Sequence, residues 1–134
     1  LYELGLAPAL QWLAVHFRSQ EKLRVQLTCN VIEDSINMEL RVLVFKLVRE
    51  LLRNVVKHAG VESATVRVQG DRTRVTVEVE DAGRGFEWQI EMFGSRPGGF
   101  GLWSISDRVG GVGGELTVDT APGRGAHFKL VFPL

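Results

Sequence analysis

The chain has 134 residues, 45% of them hydrophobic, and its 16 basic and 16 acidic side chains cancel to a formal net charge of zero. That length and composition suit one globular domain, and the balanced charge, with no basic run or acidic tail, argues against nucleic acid or a membrane surface as a partner. No stretch nears the ~18 apolar residues that span a bilayer, no signal peptide is visible, and the lone Cys29 excludes an internal disulfide, which points to a reducing cytoplasm.

The chain opens at Leu1 rather than Met and closes on an apolar run ending Pro133-Leu134. That pattern is expected of a piece from the C-terminal end of a longer protein, whose membrane anchoring is left open. Leu6 to Arg18 is predicted as an amphipathic helix, because Leu6, Leu10, Leu13 and Phe17 recur at spacings of three and four. His16 falls on its surface. Lys22 to Cys29 alternates through Leu23, Val25, Leu27 and Cys29, a half-buried strand with Cys29 as a small core residue.

Glu39 to His58 is predicted as one long helix. Leu43, Leu47, Leu51 and Val55 form one ridge, and Val44, Val48, Leu52 and Val56 form the next. Gly60 ends it as a left-handed cap. Ala64 to Gln69 and Arg74 to Glu80 read as strands around the Gly70-Asp71 turn. Asp81 to Gly101 is too glycine-rich for a packed element, apart from a short helix that Phe86 to Phe93 could hold. Trp103 to Val109 is predicted helical, stopped at Gly110-Gly111. Glu115 to Asp119 and Ala126 to Phe132 close the chain as strands around Ala121-Pro122-Gly123, with His127 exposed. Adjacent strand pairs with intervening helices imply a mixed sheet with helices on one face.

Three clusters stand out. Glu50, Asn54, Lys57 and His58 interrupt the apolar long helix within about 100° of arc. A polar patch on a mostly buried helix needs something to satisfy it. Magnesium, which takes oxygen ligands and keeps its waters, could use the single amide oxygen of Asn54, with Lys57 near phosphate. A solvated helix edge would look the same. Asp81-Ala82-Gly83-Arg84-Gly85-Phe86 follows a strand directly. Its carboxylate could accept from the exocyclic amine of adenine where backbone approaches a flat ligand, although Asp and Gly also make ordinary tight turns. Gly98-Gly99-Phe100-Gly101-Leu102-Trp103 opens a helix, where exposed N–H groups attract phosphate. It is also consistent with a flexible loop, and it lacks the Lys-Ser/Thr of a Walker loop.

Taken in order, Glu50-x-x-x-Asn54, Asp81-x-Gly83-x-Gly85 and Gly99-x-Gly101-Leu102 resemble the N, G1 and G2 boxes of one ATPase superfamily. That superfamily is shared by DNA gyrase, the ninety-kilodalton heat-shock chaperone, mismatch-repair ATPases and histidine kinases. Glu50-Leu-Leu-Arg-Asn54-Val-Val-Lys57-His58 is similar to the two-component kinases whose N box reads Glu-x-x-x-Asn-x-x-Lys-His. Ser106-Asp107-Arg108-Val109 and Gly123-Arg124-Gly125 resemble the same group.

The resemblance implies one domain over residues 1–134, an α/β (α+β) two-layer sandwich of the Bergerat type with a mixed, mainly antiparallel sheet. It implies that Asp81 binds adenine and Asn54 holds Mg2+. Gly83, Gly85, Phe86, Gly99, Gly101 and Leu102 would shape an ATP pocket beneath a lid between Phe86 and Gly98. Glu50 would help activate the acceptor, and Lys57 and His58 would face phosphates or sugar. The γ-phosphoryl of ATP would pass to a histidine on an upstream dimerisation domain, and a response regulator would act downstream. None of His16, His58 or His127 sits in an acceptor signature, which places the acceptor before Leu1. Ala126 stands where the family has Thr or Ser, so one hydroxyl contact is in doubt. An anti-sigma-factor-type serine kinase and a degenerate nucleotide-binding module are the alternatives.

Overall fold

The computed structural model describes residues 5–85 and 102–134. Helix α1 is Leu6–Glu21 and strand β1 is Arg24–Asn30. A 3-10 turn at Glu33–Ser35 leads to α2, Met38–Asn54, which runs on as a π-helical turn, Val55–Ala59. Then come β2 Ser63–Gly70, β3 Arg74–Asp81, α3 Leu102–Gly111, β4 Glu115–Thr120 and β5 Ala126–Pro133. The five strands form one sheet in the order β1-β2-β3-β5-β4; β1 pairs parallel to β2, and the other pairs are antiparallel.

Strand alternation separates the two faces of the sheet. Val66, Val68, Val75, Val77, Val79, Phe128, Leu130 and Phe132 are buried beneath the helices. The opposite face is polar, with Arg67 bonded to Glu78 at 2.9 Å and to Glu80 at 2.8 Å. Helices therefore cover one face, as the alternation requires. The same core takes Leu10, Leu13 and Phe17 from α1, Leu47, Leu51 and Leu52 from α2, and Ile105 and Val109 from α3. Each fully buried Leu contributes about 1.5–3 kcal/mol.

Caps fix the helix ends. The Asn37 Oδ1 accepts from the Leu40 N–H at 2.9 Å to start α2. At the far end Gly60 adopts φ 71°, the expected left-handed stop. Helix α1 ends on Lys22 at φ 56°, with the Leu23 N–H donating to the Phe17 carbonyl at 3.1 Å. Its start is capped from a distance: Glu33 accepts from the N–H groups of Leu6 (2.9 Å) and Ala7 (3.1 Å). Arg41 of α2 in turn donates to the Glu33 carbonyl at 2.6 Å.

The structure departs from the sequence reading in particular places. The last turn of the long helix is π, so Val56 leaves its ridge and is 37% exposed. Cys29 is half-buried at the rim of the core rather than inside it, and burial, with a smaller push from Glu33, raises its thiol pKa to about 11. His127 is half-buried, not exposed, with its Nε2 3.5 Å from Glu78. The short helix expected over Phe86 to Phe93 lies outside the described residues.

Candidate functional site

A cleft opens between the end of α2 and the ends of β3 and β5, lined by Asn54, Val55, His58, Ala59, Asp81, Gly85, Ala126 and Phe128. Strand register sets one side. Asp81 ends β3 directly opposite Ala126 of β5, and Phe128 points the same way two residues on. The α2 π turn sets the other. A turn closed five residues apart advances each residue by less than the 100° of an α-helix, so Lys57 lags further behind Asn54 than the α-period places it. His58 consequently lines the cleft, while Lys57 is exposed and does not.

Backbone contacts lock the floor of the cleft. The Arg84 N–H donates to the Ala59 carbonyl at 2.9 Å, and the Gly123 N–H donates to the Arg84 carbonyl. A Cβ on Gly83 would strike the Ala59 carbonyl, and a Cβ on Gly125, at φ 77°, would strike the Asp81 carbonyl. These glycines let three chain segments meet at van der Waals distance. The Thr120 hydroxyl donates to the Gly125 carbonyl at 2.8 Å and holds the β4–β5 turn in place.

Asp81 is the buried charged side chain among the described residues, at 9% exposure. Its Oδ1 accepts from the Gly83 N–H at 2.8 Å. Burial nevertheless dominates and raises its pKa above the ordinary carboxylate value, the Gly83 bond opposing and Glu80 adding to the shift. A carboxylate held that way gains from a ligand that donates a hydrogen bond to it. Burial also lowers the pKa of His58, assisted by the neighbouring Lys57 charge, which favours a neutral imidazole at the cleft wall. Apolar Val55, Ala59, Ala126 and Phe128 complete a slot suited to a flat aromatic ring.

Glu50 lies one helical turn before Asn54. It does not line the cleft among the described residues; its Oε2 accepts from the Arg108 Nη2 of α3. That partner was not anticipated, because the two residues are 58 positions apart. Phe86, Gly99 and Gly101 lie outside the described residues, and Leu102 is described only as the first residue of α3.

A family model described as "Histidine kinase-, DNA gyrase B-, and HSP90-like ATPase" matches residues 39–134. The chain belongs to this ATPase family. Among its relatives, the signal transduction histidine-protein kinase/phosphatase DegS of Brevibacillus brevis is 29% identical over 134 residues, covering all of this chain and 34% of DegS. The sensor histidine kinase MctS of Rhizobium johnstonii is 26% identical over 121 residues, covering 90% of this chain and 26% of MctS. The chain thus spans about a third of the length of DegS and a quarter of MctS. Among solved structures, the blue-light activated histidine kinase of Erythrobacter litoralis EL346 superposes with TM-score 0.72 at 24% identity, over 97% of this chain and 42% of that one. The catalytic domain of histidine kinase ThkA gives 0.70 at 16% identity, over 96% and 92%. The two-layer architecture is that of histidine kinase catalytic domains, and family membership makes ATP the ligand class for this ATPase domain.

Proposed function

We propose that residues 1–134 act as one catalytic domain that binds Mg-ATP and transfers its γ-phosphoryl group to a histidine on an upstream dimerisation domain, with a response regulator as the next acceptor. The observation that carries this reading is the shared cleft: Asn54 and Asp81, from elements far apart in sequence, line the same space. In this reading Asp81 accepts from the adenine amine, and Gly83 and Gly85 bring backbone against the ring. His58 faces the sugar or phosphates.

Asn54 fits magnesium. The described residues contain no cluster of three His, Cys, Asp or Glu side chains that could cage a metal. An ion carried in by nucleotide phosphates, keeping its waters and taking one amide oxygen, suits such a wall. When bound it supplies charge neutralisation at the phosphates. In the transfer, the bond from the γ-phosphorus to the β-phosphate oxygen breaks as a phosphorus–nitrogen bond to the acceptor imidazole forms. The imidazole proton passes to the Glu50 carboxylate.

Titrating ATP with and without magnesium tests the reading. The natural chain should bind more tightly with magnesium, and Asn54→Ala should lose that difference. Asp81→Asn should lose about 100-fold or more in ATP affinity, because an amide NH2 replaces the acceptor oxygen that the adenine amine needs. The chain alone should acquire no phosphate from ATP. Equal affinity for Asp81→Asn and the natural chain would overturn the adenine assignment; no magnesium dependence in the natural chain would favour a degenerate binding module.

A further inference from the structure

Arg108 is held at both ends of its guanidinium. Its Nε donates to the Ser104 carbonyl one turn back on α3 at 3.3 Å, and its Nη2 donates to Glu50 of α2. The flanking Ile105 and Val109 are fully buried, so the side of α3 that presents Arg108 is fixed against the core. Helix α3 starts at Leu102, immediately after the glycine stretch Gly98 to Gly101, and Glu50 lies one turn before Asn54. Arg108 therefore links α3 to the helix that carries Asn54.

Both partners are about one-third exposed, at 33% and 36% of their side chains. Ion pairs so exposed add little to stability, which argues against a purely structural role. What a charge-assisted arginine–carboxylate bond does provide is direction. A free glutamate on a helix surface samples many rotamers, whereas one tied to a fixed guanidinium keeps its second oxygen on one side.

We propose that Arg108 is a positioning residue for Glu50: it fixes the carboxylate that takes the acceptor proton. The inference rests on the proposed role of Glu50 and goes beyond it, since nothing in that role requires Arg108.

The test uses the full-length protein carrying the acceptor histidine, with Arg108→Ala, Arg108→Lys, Glu50→Gln and the double variant Arg108→Ala/Glu50→Gln. ATP affinity and the rate of acceptor phosphorylation at saturating ATP are measured separately. Arg108→Ala should lower the saturated rate about 10- to 100-fold, the penalty of a misplaced catalytic group, with ATP affinity changed less than about 3-fold. Arg108→Lys should recover part of the rate. The double variant should be no slower than Glu50→Gln alone, since Arg108 acts through Glu50. Multiplicative losses in the double variant, or a loss of affinity in place of rate, would overturn the inference. If Glu50→Gln is slow but Arg108→Ala is not, the inference fails and the Glu50 role stands. If Glu50→Gln keeps full rate, the Glu50 role itself fails.

Discussion

Asp81 is costly to the fold, and the proposed adenine contact would offset that cost. Its carboxylate is buried, one hydrogen bond from Gly83 offsets part of the cost, and the net effect raises its pKa. A group whose folded pKa lies above its unfolded value stabilises the fold below the unfolded pKa, and that contribution is lost as pH rises through the folded one. In Asp81→Asn the amide oxygen can still accept from the Gly83 N–H, and no charge need be buried. The variant should therefore melt at or above the temperature of the natural chain at pH 7, with the gap closing as pH falls toward the ordinary value of 3.8. Parallel thermal melts at pH 4 and pH 7 check this, and a lower melting temperature for the variant at pH 7 would refute it. The type of residue was legible in the sequence, a carboxylate at a strand end before two glycines. Its burial was not, because the elements that meet around it, the end of α2 and strand β5, are distant in sequence.

Among elements, helices were read best where the 3.6-residue period holds and worst where it fails. Leucine spacing located α1 and the body of α2, but extrapolating that period through Val55–Ala59 put Lys57 beside Asn54. The π turn instead brings His58 to the cleft and leaves Lys57 outside. No local signal marks that turn. Helix α1 also outruns its leucine spacing, from Arg18 to Glu21, with Lys22 taking the left-handed cap that glycine usually fills. A residue with a Cβ there costs roughly 1–2 kcal/mol, partly balanced by the greater freedom glycine has when unfolded. Lys22→Gly should consequently stabilise the domain by about 0.5–1 kcal/mol, read as a higher denaturant midpoint with unchanged slope. A lower midpoint would show that the capping geometry is not maintained in solution.

Across the whole molecule, a mixed sheet with helices on one face followed from alternation and chain order, but the strand order β1-β2-β3-β5-β4 did not. The parallel pairing of β1 with β2 did not, since it depends on how the intervening α2 crosses the sheet. Long-range contacts are invisible to any window: Gly83 with Ala59 at the cleft floor, and Glu50 with Arg108 between α2 and α3. No helix of the described residues is long and apolar enough to cross a membrane. A ligand that binds only the folded state stabilises it by mass action, by about 2.7 kcal/mol at 100 times its Kd. ATP should therefore raise the melting temperature of the natural chain, more with magnesium than without, and should leave Asp81→Asn unmoved at the same concentration. A shift of equal size in Asp81→Asn would show that the nucleotide sits elsewhere.

The Glu33 cap has a mechanical consequence. One carboxylate ties the first two amides of α1, while the carbonyl of the same residue is tied to Arg41 in the opening turns of α2. A tug on the beginning of α1 cannot be absorbed locally; the tether hands the strain across to the root of the helix that bears Asn54 at its far end.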